Sequence, residues 1–159
     1  MKIELSPIGI IHSPFKDLKE MPIQPSGKAS SEGTAEIFAE YQAGLKDLDG
    51  FSHVILIYYL HAVKRVDLQV TPFLDEKPRG IFATRAPTRP NPIGISIVRI
   101  NGIKGVRVFL SDIDILDGTP LLDIKPYVPD FDQPDDVEIG WLSSAKAKVR
   151  DQKSDDRFK

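Results

Sequence analysis

The sequence predicts a mainly β protein: an all-β sandwich or a small antiparallel β-barrel, decorated by one or two short helices. Three observations carry this. Short β-branched and aromatic runs recur roughly every 8 to 15 positions, with proline and glycine between them. Helical spacing of apolar residues is confined to short stretches. No series of strand, long helix and strand occurs, which a Rossmann-type sheet requires.

The elements follow in order. Residues 5–12 are isoleucine-rich and end at Ser13-Pro14, so they read as a strand. Residues 13–33 are polar and carry Pro14, Pro22, Pro25, Gly27 and Gly33; a loop of that length is functional or mobile. Residues 34–37 form a short strand. Phe38, Tyr41, Leu45 and Leu48 recur at helical spacing, and Gly44 and Gly50 limit that helix to a turn or two. Residues 51–60, FSHVILIYYL, are apolar on both faces and predict a central strand.

Further strands are expected at 66–70, 80–84, 94–100 and 106–110, with Asn101-Gly102 as the hairpin turn between the last two. Residues 113–116 are a strand candidate, and 121–124 form a strand ended by Pro126. The acidic stretch 128–137 is a loop, and 141–149 a short helix. The last ten residues, 150–159, are charged and expected to fray.

The chain of 159 residues fits one domain, 1–159, with a real core. It holds no cysteine, which excludes a disulfide framework, a thiolate metal site and a cysteine nucleophile and suits a cytoplasmic protein. No signal-peptide pattern is read at the start. No apolar run approaches the roughly 20 residues that cross a bilayer. The net charge of −2 rules out a uniformly basic surface. Its distribution is uneven: 77–111 contains no Asp or Glu but holds Lys77, Arg79, Arg85, Arg89, Arg99, Lys104 and Arg107. Such a window marks a face for an anionic partner, or records basic residues on solvated strands and turns.

Several chemistries lack their signature. There is no GxGxxG, no GxxxxGK[ST] and no GxSxG. His12, His53 and His61 form no metal-binding motif, and no metal is expected. The segment 79–96, RGIFATRAPTRPNPIGIS, stands out instead. Pro87, Pro90 and Pro92 fix φ and hold Ala86, Arg89 and Asn91 extended. A stiff loop presents Arg85 and Arg89 at low entropy cost, and a guanidinium fork suits carboxylate or phosphate. A proline-stiffened surface turn with solvated arginines is the competing reading. A second motif is ILDGTPLLDIKPY, 115–127. Asp117-Gly118 makes a turn, Thr119 bonds locally and Pro120 leads into a strand. It is a ligand-holding turn or an ordinary β-turn. His61, at a strand end, is packing or chemistry.

The runs FATRAPTRPNPIGIS and ILDGTPLLDIKPYVP, with PIGIIHSPF (7–15) and GFSHVILIYYLH (50–61), resemble the TsaA-like or TrmO family. The resemblance covers most of the chain, in family order. It implies a small β-barrel and a homodimer. It also implies S-adenosyl-L-methionine-dependent methylation of the exocyclic amine of threonylcarbamoyl-adenosine, beside the anticodon of tRNA. The cofactor contacts it implies are Pro22, Ile23 and Gln24 (where bacterial members have Pro-Arg-Gln), His61, Ala62, Arg85, Ile95, Asp117, Gly118, Thr119 and Pro120. Lys77, Arg79 and Arg89 would receive anticodon-loop phosphates. Methyl transfer from a sulfonium is mainly a positioning problem. An arginine suits the cofactor carboxylate, and an aromatic face such as Tyr127 suits the sulfonium. Asp117 and His61 are the candidate proton acceptors. Two other readings stay open: a cofactor-binding protein of this fold with another acceptor or no catalysis, and a non-enzymatic RNA-binding β-barrel.

Overall fold

The structure, a computed structural model, describes residues 2–17, 31–72 and 76–144. Its eight strands are β1 (Gly9–His12), β2 (Glu32–Ile37), β3 (His53–Tyr59), β4 (Gln69–Val70), β5 (Arg79–Gly80), β6 (Ile93–Lys104), β7 (Arg107–Ser111) and β8 (Thr119–Pro126). Six of them close into a barrel in the order β1-β2-β7-β6-β3-β8, every pair antiparallel. The barrel, not the sandwich, is the solution adopted. Strands β4 and β5 form a separate two-stranded ribbon. No described helix is long and apolar enough to cross a membrane.

Alternation fills the barrel. On β3 the inward side chains are Val54, Leu56 and Tyr58, all buried. They meet Ile11, Ala35, Val98, Val108, Leu110 and Leu121 from the other strands. Burying a Val, Leu or Ile side chain stabilises by roughly 1.5–3 kcal/mol, so this interior dominates the fold's stability. The outward positions of β3 and β6 are apolar too. In register, Ile55 faces Ile97, Ile57 faces Ile95 and Tyr59 faces Ile93. Ile93, Ile95 and Ile97 are 40%, 52% and 46% exposed, so the second apolar face of β3 borders an uncovered wall.

Several expectations change. Asn101-Gly102 is not the hairpin turn: β6 runs through it, and Gly105-Val106 turns the chain, with Gly105 at φ +61. The β6–β7 register shifts between Ile100 and Gly102, so Asn101 is a bulged residue. Its side-chain oxygen accepts from Ser111 Oγ at 2.9 Å. A bulge bends one long strand between two neighbours. β6 thus pairs with β3 over its first half and with β7 over its second.

Of the expected strand 80–84 only Gly80 pairs, together with Arg79 before it; residues Ile81–Ala83 curl into a 3-10 turn. Of 66–70 only Gln69 and Val70 pair. Residues 113–116 make no strand, because Asp112 takes φ +63 and ends the ladder. Ile113 and Ile115 instead bury into the core. The helical stretch is two 3-10 turns, Ala39–Leu45 and Leu48–Gly50, separated at Asp47 with φ +65. The acidic loop holds one helical turn, α1 (Pro129–Asp132). The last helix is a 3-10 turn, Gly140–Ser144, and 145–159 lie outside the described residues.

Candidate functional site

Both motifs arrive at one rim of the barrel. That rim is made by the end of β1, the end of β3, the start of β6 and the start of β8. The Asp-Gly-Thr-Pro turn closes β8 onto β1. Asp117 N–H donates to Phe15 O at 2.8 Å and Gly118 N–H to Ile11 O at 2.9 Å. Gly118 sits at φ +75, where a side chain would be strained. Thr119 Oγ1 donates to Leu116 O at 2.7 Å and lies 3.4 Å from His61 Nδ1, so His61 and the turn are in contact.

The Asp117 carboxylate is heavily engaged. It accepts the Ser13 N–H at 3.0 Å, pairs with Lys16 Nζ at 2.5 Å and lies 3.7 Å from His12 Nδ1. The Lys16 ammonium, helped by the Ser13 N–H, holds it below the usual carboxylate range. Such a group is a poor proton acceptor, and its geometry is that of a turn anchor.

The arginine loop faces this turn differently from the sequence expectation. Arg85 is exposed, and its charge acts on Tyr58 and Asp114. Arg89 is folded back on its own loop. Its Nη1 donates to Thr84 O at 2.8 Å and Ile81 O at 3.1 Å, with Ala86 O at 3.5 Å. The guanidinium lies 5.8 Å from the ring centroid of Phe82, which is 78% exposed. Arg89 therefore shapes the turn that presents Arg85. Arg79 stacks over Trp141 at 5.5 Å, and Trp141 Nε1 donates to Ala83 O at 2.8 Å, so the 3-10 turn at Gly140–Ser144 braces the same loop. Lys77 is exposed beside β5.

The other expected positions fall variously. Ala62 follows His61 at the rim, and Pro120 begins β8 beside Thr119. The Ile95 side chain points outward, across from Ile57 on the apolar wall. Tyr127 bonds to His53 at the far end of β3, so it cannot face the rim. Pro22, Ile23 and Gln24 lie outside the described residues.

Sequence reading missed a polar chain inside this rim. Tyr58 Oη lies 3.0 Å from Ser96 Oγ, and Ser96 Oγ donates to Asp114 Oδ1 at 2.6 Å. Tyr58 pairs with Gly94, whose missing side chain leaves the ring its place: a Cβ there would stand 2.1 Å from Tyr58 Cε2. Burial, with the Asp114 carboxylate nearby, pushes the Tyr58 phenol up to about 12. Burial also pushes the Asp114 carboxyl above its usual range, against the Ser96 hydrogen bond and the Arg85 charge. One signal was available. Ser96 and Tyr58 share the inward parity of Val98 and Leu56, where a polar residue needs a partner.

The fold and site define a small closed β-barrel that gathers a stiff arginine loop, an Asp-Gly turn and a half-buried carboxylate at one end. Residues 10–133 match the family of the tRNA-methyltransferase O N-terminal domain, and the chain belongs to that family. It is 56% identical over 152 residues to a "probable S-adenosyl-L-methionine-binding protein" of Pyrococcus abyssi, covering 96% of this chain and 83% of that one. It is 35% identical over 140 residues to a mouse tRNA (adenine(37)-N6)-methyltransferase, covering 84% of this chain and 32% of the mouse protein. The crystal structure of TrmO from Pseudomonas aeruginosa superposes with a TM-score of 0.75 at 40% identity, over 89% of this chain and 63% of that one. The chain thus spans less than two thirds of that bacterial protein.

Proposed function

We propose that this protein transfers a methyl group from S-adenosyl-L-methionine to the exocyclic nitrogen of threonylcarbamoyl-adenosine beside a tRNA anticodon. The observation that carries the reading is that Arg85 acts on Asp114 and His61 approaches Thr119 at the same rim, in a chain of this family. The donor set fits the cofactor. Arg85 offers an exposed guanidinium for its α-carboxylate. At Gly118 nothing stands within 4 Å of where a Cβ would project, which leaves room against the turn. When bound, the cofactor supplies an electrophilic methyl group; the chain's own residues orient the two reactants.

The acid-free window supports the RNA half of the reading. Lys77 and Arg79 would meet anticodon-loop phosphates, and exposed Phe82, held by Arg89, offers a face for an unpaired base. Mass spectrometry of nucleosides from tRNA carrying the threonylcarbamoyl group, incubated with protein and cofactor, should show a new N6-methyl nucleoside. Cofactor binding by calorimetry without that product would favour a cofactor-binding barrel with another acceptor. RNA binding without cofactor binding would favour a non-enzymatic RNA-binding barrel.

The homodimer implied by the resemblance is proposed to form across the β3–β6 wall, whose Ile93, Ile95 and Ile97 are large, apolar and exposed. Sedimentation equilibrium should give a dimer for the parent protein and a monomer for Ile95→Lys. A parent monomer would refute this.

A further inference from the structure

The acceptor nitrogen in the proposed reaction is bonded to both a purine ring and a carbonyl carbon. Its lone pair is delocalised both ways, so it attacks well only as its proton departs. The site needs a proton acceptor, and of the two groups singled out from the sequence Asp117 is already engaged by other partners. Asp117 is tied to Lys16 and Ser13 and held below the usual carboxylate range. His61 is drawn against Thr119, on the turn.

We infer that Asp114 takes that proton, with Ser96 and Tyr58 as positioning residues that hold its carboxylate at the rim. The inference rests on the methyltransferase reading above. Three separate elements converge on it. Tyr58 comes from the end of β3, Ser96 from the inward face of β6, and Asp114 from the segment between β7 and β8. Tyr58 and Ser96 are 7% and 6% exposed, in a barrel interior lined mostly by aliphatic side chains. Asp114 stands between fully buried Ile113 and Ile115 yet is itself partly exposed, so solvent-side chemistry reaches it. A polar chain that only filled the core would have no need to end in a carboxylate open to the rim. Arg85 from the loop is the charged group that bears on it, and Tyr58 from β3 is the titratable group it acts on in turn.

The step balances. The nitrogen lone pair forms the bond to the methyl carbon. The carbon–sulfur bond breaks, and its electron pair stays on sulfur, which becomes a neutral thioether. The N–H proton passes to an Asp114 oxygen, and the resulting acid returns it to solvent. Burial raises the proton affinity of Asp114 above that of an ordinary carboxylate, the direction that strengthens a general base.

The same property has a stability signature. A carboxyl that binds its proton more tightly when folded makes stability fall as pH rises from about 4, the ordinary carboxylate value, through its folded value. The cost is fully present above that window. Asp114→Asn removes it.

The test compares parent protein, Asp114→Asn and Ser96→Ala in cofactor calorimetry, single-turnover methylation of threonylcarbamoyl-bearing tRNA against pH, and thermal melting at acid and mildly alkaline pH. Asp114→Asn should keep cofactor affinity within about threefold and lose roughly 100-fold or more in rate, the range of a general base. At alkaline pH it should melt at or above the parent temperature. Ser96→Ala removes a hydrogen bond that lowers the Asp114 proton affinity, so its rate profile should move to higher pH. An Asp114→Asn rate within about fivefold of the parent, with an unchanged profile, overturns the inference. So does a fall in cofactor affinity and melting temperature that accounts for the whole rate loss, the mark of a structural role. A parent protein that binds cofactor but methylates nothing overturns the functional reading, and this inference with it.

Discussion

Gly94→Ala is expected to dislodge Tyr58 and lower the melting temperature by about 10 °C. The added methyl would stand 2.1 Å from Tyr58 Cε2 and 2.5 Å from Cζ, far inside contact distance. The ring has little freedom to retreat. It is 7% exposed, packed in the barrel core and hydrogen-bonded to Ser96. Overpacking of this kind costs about 1–3 kcal/mol, and losing the buried hydrogen bond adds about 1 kcal/mol. At roughly 2–4 °C per kcal/mol for a chain of this size, the fall is about 10 °C. Thermal and urea denaturation of Gly94→Ala, Tyr58→Ala and the double variant check it. Because the methyl and the ring compete for one space, the double variant should be more stable than additivity allows, by about 1–3 kcal/mol. Strict additivity would show that the ring is not what the glycine accommodates.

The second large effect is expected at Arg89. Its Nη1 serves the Ile81 and Thr84 carbonyls, which close the turn that carries Arg85. Hydrogen bonds from a charged donor contribute about 1.5–3 kcal/mol each, with the lower end applying where water can replace them. Arg89→Ala should therefore cost about 2 kcal/mol in stability. It should also weaken S-adenosyl-L-methionine binding by about tenfold or more, because Arg85 loses its preset position. Arg89→Lys should not rescue either property, since a compact ammonium on a flexible stem cannot reproduce the planar fork. Arg85→Ala should weaken cofactor binding with little change in melting temperature. Calorimetry and melting on the three variants separate these outcomes. Wild-type affinity in Arg89→Lys would contradict the bracing role.

Part of this site was legible from local chemistry. Three prolines in six residues imply a stiff loop, and the structure holds that loop between β5 and β6. Asp-Gly implies a turn, and Gly118 takes the positive φ that the pair favours. The alternation of Val54, Leu56 and Tyr58 implies one inward face on β3. Other local signals misled. Asn101-Gly102 has hairpin chemistry, yet it serves as a bulge in a strand that continues to Lys104. Nothing within a few residues distinguishes the two uses, because closure of the barrel makes the choice. Arg89 read as a cation offered to phosphate, while its partners turned out to be carbonyls of its own loop.

By itself the sequence determined the periods, the stiff loop, the turn at Asp117-Gly118 and the family to which they belong. Those properties depend on residues within a few positions of one another, or on a motif shared whole. Only the tertiary structure decided that Tyr58, Ser96 and Asp114 meet at one rim, and which of two nearby aspartates is paired with a lysine and which is desolvated. That choice depends on strand register and on burial. Neither exists until distant segments pair, and burial then raises one carboxyl while Lys16 lowers the other.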